Sequence, residues 1–131
     1  MPEQDFEALK RIYSGWASGN MWAEAALYDP CVVYDSQADT DPGPHYGLEA
    51  LTRYMNFFLE SWDDWRIEAL EYRRAGDSFL VRTRRSAVGK GSGLPLEDEA
   101  FHLWTFRGGK VIRIDVYKQE AAALEAAGLS E

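Results

Sequence analysis

Two histidines, one cysteine and a surplus of carboxylates bound the acid, base and nucleophilic chemistry open to this chain. His102 alternates with Ala100 and Trp104 in a segment that reads as a strand. An imidazole there can donate, accept or hold a neighbour in orientation near neutral pH. Asp35 closes the run Cys31-Val32-Val33-Tyr34. A carboxylate walled by aromatics loses hydration in its charged form, so its pKa rises and it becomes a useful proton shuttle. Each residue also has a plainer reading. Asp35 can simply be solvated at the start of an acidic loop, and His102 can be a core histidine with one hydrogen bond.

The remaining candidates carry less. Cys31, the only cysteine, reads as a small residue at a strand start and excludes an internal disulfide framework. Gly89-Lys90-Gly91-Ser92-Gly93 lacks the spacer of a phosphate-binding loop and joins two strands, so it reads as a hairpin loop. His45 has Asp41 and Glu49 four residues to either side, but a Pro-Gly-Pro segment fixes no shared face, and no metal site is expected. Arg82 and Arg84 alternate with Val81 and Thr83. If Phe79, Val81 and Thr83 point inward, both arginines belong to the outer face.

These residues need elements to position them. Phe6, Leu9, Ile12, Tyr13 and Trp16 recur at helical spacing, stopped by Ser18-Gly19-Asn20. Asn20 can cap a second short helix running to Tyr28, closed by Asp29-Pro30. A short strand is expected over Cys31 to Asp35 and an irregular loop over Ser36 to Gly47. Leu51, Tyr54, Met55, Phe58, Leu59 and Trp62 then mark the clearest helix, closed by Asp63-Asp64.

From there the period changes to two. Strands are expected at Trp65 to Arg74, Phe79 to Val88, Leu94 to Arg107 and Lys110 to Tyr117, as an antiparallel meander. Alternation groups Trp65, Ile67 and Ala69, then Ala100, His102, Trp104 and Phe106, then Ile112, Ile114 and Val116, as inward faces. Gln119 to Ala127 reads as a terminal helix ended by Gly128. Helices segregated from an antiparallel sheet define the α+β class, with one domain over residues 1–131. Three helical segments in the first half can close a pocket over the concave sheet face.

Composition narrows the partners. Twenty-two acidic against fourteen basic side chains give a formal charge of −8, which disfavours nucleic acid and anionic membranes. The first residues have neither a basic nor an apolar leader pattern, and no apolar run approaches the ~20 residues that span a bilayer. A cytoplasmic, bacterial protein is expected.

Leu27-Tyr28-Asp29-Pro30 before Val32-Val33-Tyr34-Asp35, Tyr46-Gly47 before the long helix, and His102 through Val111 form a recognisable order. With Phe106 to Tyr117 and the ending Ala123 to Leu129, they resemble the SnoaL-like family, within the nuclear transport factor two-like cone fold. That family includes polyketide cyclases. Relatives on the fold include ketosteroid isomerases, limonene epoxide hydrolases, scytalone dehydratases and silent binding proteins, so the fold cannot name a reaction.

The resemblance implies Asp35 as general base, at the isomerases' aspartate position, and His102 as acid or orienter. The isomerases' oxyanion-hole tyrosine falls nearest Ile12, with Tyr13 about 100° around the helix, so steroid isomerisation is not implied. An arginine between Asp35 and Asp98 or Asp115 would resemble the limonene epoxide hydrolase arrangement. Tyr13, Trp16, Tyr54, Phe58, Trp65 and Trp104 are expected to face a small apolar ligand. The implied activity is cofactor-free isomerisation, cyclisation, dehydration or epoxide hydrolysis. The alternative is a non-catalytic binding or dimerisation module, and a homodimer through the outer sheet face is implied.

Overall fold

The computed structural model describes residues 2–37 and 44–129. Helix α1 spans Pro2–Ala17. Leu9, Ile12, Tyr13 and Trp16 lie on its buried face because steps of three and four return to one side of a helix. Asn20 N–H then bonds back to the Gly15 carbonyl at 2.8 Å. A Cβ at Gly15 would collide with that of Ala23, so glycine is what lets the chain double back against the helix.

The expected second helix shrinks to one 3-10 turn at Ala25–Leu27. Asn20 does act as a local cap, its side chain accepting the Trp22 N–H at 3.2 Å. Helix cannot propagate, because Glu24 sits at φ 57 and the Met21 carbonyl is turned to the Trp16 indole N–H at 3.2 Å.

Strand β1 runs Tyr28–Ser36, longer than expected at its start, and pairs with the two-residue β2, His45–Tyr46. The expected loop between them falls largely on residues 38–43, outside the described residues. Helix α2 covers Leu48–Ser61 and buries Leu51, Tyr54 and Met55. It gives way directly to β3, Trp62–Ala75, so Asp63-Asp64 stands within a strand. Asp64 takes φ 54 there, where the pairing with the next strand shifts register.

Strands β4 (Ser78–Gly89), β5 (Pro95–Arg107) and β6 (Lys110–Tyr117) complete the antiparallel meander. The curved, open sheet has the order β2-β1-β6-β5-β4-β3. It is mixed, because β1 runs parallel to β6. The inner face packs on α1 and α2 through one apolar core that includes Ile67, Val81, Trp104, Val111 and Ile114. Ile112 does not join it. A register shift between Thr105 and Phe106 inserts an extra residue on β6, so Val111 takes the inward place instead.

Helix α3, Glu120–Ala127, covers the opposite face, seating Ala123 and Leu124 on Leu80, Phe101 and Leu103. Gly128 ends it at φ 73, its N–H bonded to the Glu125 carbonyl. Among the described residues no helix is long and apolar enough to cross a membrane.

Candidate functional site

His102 reaches the inner face from β5, and Tyr13 meets it from α1. The Tyr13 hydroxyl lies 2.7 Å from His102 Nδ1 and takes the Trp104 indole N–H, also at 2.7 Å. Indole N–H can only donate, so it claims a lone pair of the hydroxyl. The phenolic proton is then free to point at Nδ1. Burial pushes the Tyr13 pKa well above its ordinary value, an effect the Trp104 hydrogen bond only partly offsets, so the phenol stays neutral. Where the phenol donates, Nδ1 accepts and the imidazole proton sits on Nε2; the hydroxyl's second lone pair can instead take an Nδ1–H.

The cavity beside His102 is lined by Trp16, Tyr34, Met55, Phe58, Trp65, Ile67, Arg85 and Ile114. Its open space is about 390 Å³, solvent at the mouth included. It is a narrow slot. A second apolar hollow of about 260 Å³ adjoins it, sharing Trp16, Tyr34, Met55 and Ile114.

Arg85 is the residue that sequence reasoning missed. It follows Val81 and Thr83 at a step of two on the buried face of β4, and its side chain is only 8% exposed. Nε and Nη2 each donate to Asp98 at 2.8 Å, a bidentate pair across β4 and β5. The guanidinium also lies 5.9 Å from the Trp65 ring centre. The alternation that put Phe79, Val81 and Thr83 inward, carried one step further, would have found it. Arg82 and Arg84 point outward, Arg82 pairing with Glu99 at 3.1 Å.

Of the aromatics expected at the ligand, Trp16, Phe58 and Trp65 line the slot. Tyr13 and Trp104 stand behind His102 as its support. Tyr54 lies to the side, 4.2 Å from the His45 ring and 5.1 Å from Phe58.

Asp35 lies elsewhere. Val32 and Ser36 are fully buried and Tyr34 lines the slot, so alternation along β1 turns Asp35 to the outer face. There its carboxylate is 3.4 Å from Arg113 Nη2, while Arg113 Nε donates to Asp115 at 3.0 Å. Hydrogen bonding to Asp115 holds the Arg113 pKa above its ordinary value. The acid-arginine-acid trio therefore exists, built on Arg113 and separated from His102 by the sheet. The structure does not bring Asp35 and His102 together. Among the described residues no three histidine, cysteine or acidic side chains converge as a metal site would require.

Comparisons with known proteins bear on the fold and the family. No curated protein matches the sequence. Solved structures share the fold at low identity. An NTF2-like protein (nuclear transport factor two-like) from Burkholderia thailandensis is 17% identical, with TM-score 0.77 over 96% of this chain and 98% of that one. A proposed SnoaL-like polyketide cyclase from a Jannaschia species is 18% identical, with TM-score 0.74 over 98% and 94%. A Catenulispora acidiphila protein of ketosteroid isomerase-like fold, solved with trimethylamine, is also 18% identical, with TM-score 0.74 over 95% and 94%. At such identities the likeness speaks for the fold alone. The SnoaL-like domain profile, however, matches residues 9–114, most of the length, and the chain belongs to the SnoaL-like domain family.

Proposed function

We propose that this chain binds a small, largely apolar organic molecule in the slot between α2 and the inner sheet face. The observation that carries it is the wall itself: Trp16, Phe58 and Trp65 with Met55, Ile67 and Ile114, against few polar groups. That is the usual make-up of a small-molecule site. The slot's narrowness favours a flat molecule of one or two rings over a steroid.

The test is a thermal-shift screen of monocyclic and bicyclic aromatics, terpenoids and steroids. A ligand at ~100 times its Kd stabilises by about 2.7 kcal/mol. Phe58→Trp, at a half-buried position on the wall, should fill the slot and abolish the shift. Shifts that survive this substitution would place binding elsewhere.

One observation favours a catalytic version of the same reading. The Trp104–Tyr13–His102 chain holds an imidazole in a fixed orientation on the slot wall, where cofactor-free isomerisation, cyclisation or dehydration would need a proton-handling group. His102→Gln should then keep binding and lose turnover of any substrate found. Asp35→Asn, on the other side of the sheet, should change ligand affinity and turnover less than twofold; loss of turnover would return Asp35 to the mechanism. Its effect on stability should be about 0–1 kcal/mol, since the pair is partly exposed. A second copy of the chain on the outer face would have to dock beside α3, which already covers Leu80, Phe101 and Leu103.

A further inference from the structure

The hollow that adjoins the slot differs from it in chemistry. Met21 and Leu51 line the hollow and not the slot, and the two spaces meet along Trp16, Tyr34, Met55 and Ile114. No polar atom is exposed on the hollow's wall, whereas Arg85 and His102 stand on that of the slot. A buried water needs two or more polar partners, while an apolar void stays dry and takes up hydrocarbon.

Of the four side chains that divide the spaces, three are held. Trp16 is tied through its indole N–H to the Met21 carbonyl at 3.2 Å. Ile114 is β-branched, and stands on a strand paired on both sides, so its χ1 has little freedom. The Tyr34 ring lies against Tyr54, with ring centres 5.4 Å apart. Met55 differs, because its side chain is unbranched and carries a polarizable thioether on three rotatable bonds. Such a side chain refills irregular gaps at little cost, so it can turn aside and join slot to hollow.

Resting on the reading that the slot binds a small molecule, we propose that the hollow is a second subsite, which takes an unbranched saturated alkyl chain carried by the slot's ring-bearing ligand, with Met55 as the movable divider. A chain ending in a hydroxyl is rejected, because it would lose its hydration against a wall that offers no hydrogen bond.

Three probes share one ring and differ in the chain: para-ethylphenol, para-butylphenol and para-(3-hydroxypropyl)phenol, the last two matched in length. They are titrated into full-length protein labelled at its methionine methyl groups and followed by NMR. Ethylphenol should shift the Met55 methyl and leave that of Met21 in place. Butylphenol should move both and bind about fourfold more tightly for each added methylene. The hydroxypropyl compound should lose that gain. In Leu51→Phe, which fills the hollow from α2, the advantage of butylphenol over ethylphenol should fall below about twofold. In Leu51→Ala, which enlarges it, the gain should continue to para-hexylphenol, where the wild type has levelled off. Each readout is a ratio within one variant, so a general loss of stability does not imitate it.

Equal binding of ethylphenol and butylphenol, or a Met21 methyl unmoved by butylphenol, would overturn the proposal and leave the slot a ligand site. A gain retained in Leu51→Phe would do the same, since the chain would then lie elsewhere. Failure of all three phenols to bind would also remove the proposal; only a blank thermal-shift screen beside it would remove the reading beneath.

Discussion

At the scale of single residues, the Tyr13 hydroxyl joins two side chains that would otherwise each hold an unmet polar atom. Tyr13→Phe deletes an acceptor for Trp104 and a hydrogen-bond partner for His102 while keeping the ring that packs between Trp16 and Tyr72. The cost should be about 1–3 kcal/mol for each buried group left unpaired, read as a drop in the denaturant midpoint. Nitrogen NMR shifts should show His102 Nδ1 hydrogen-bonded in the wild type and lose that signature in the variant. An unchanged imidazole would mean that the phenol does not set the tautomer. Sequence made His102 visible as an imidazole on an apolar face, but not its partner, because the Tyr13–His102 bond spans 89 positions. Asp35 was misplaced for a local reason. With Val32 and Val33 adjacent, either parity of β1 buries a valine, and only the packing of Tyr34 and Ser36 chooses between them.

At the scale of elements, the helices and the meander were legible because their periods are long and regular, whereas short elements were not. The segment after α1 has helical spacing and a competent cap at Asn20, yet the bonds that the Asn20 N–H and the Trp16 indole make to the Gly15 and Met21 carbonyls win over the helical ladder. Gly15 gives this a sharp test. An alanine inside a helix normally stabilises it by about 0.5–1 kcal/mol relative to glycine. At position 15 the new methyl would meet the Ala23 side chain, so the sign should reverse and Gly15→Ala should destabilise by about 1–3 kcal/mol. In the double variant Gly15→Ala/Ala23→Gly the collision is gone, and much of the loss should return. A stabilising single substitution would show that the turn does not press on α1.

At the scale of the whole molecule, a small sheet curled around aromatic side chains encloses phenols as well as tryptophans, which gives the fold a weakness at high pH. Burial raises the pKa of both Tyr13 and Tyr28 above the ordinary 10.0. In the unfolded chain these phenols ionise near pH 10, while in the folded chain they keep their protons. The unfolded state therefore releases protons that the native state retains, and stability falls as pH rises above 10. Each buried phenol should remove up to about 1.4 kcal/mol per pH unit in that range, so the pair costs about 3 kcal/mol by pH 11. Lysines and the exposed tyrosines titrate in the same window, so the informative quantity is a difference. Tyr28→Phe should flatten the fall in denaturant midpoint between about pH 9 and pH 11 by roughly half of the pair's share, while tyrosinate absorbance of the wild type lags until unfolding begins. Parallel midpoint curves for wild type and Tyr28→Phe would mean that Tyr28 ionises without opening the core, and that its wall is wetter than the packing around Tyr28, Met21 and Leu51 implies.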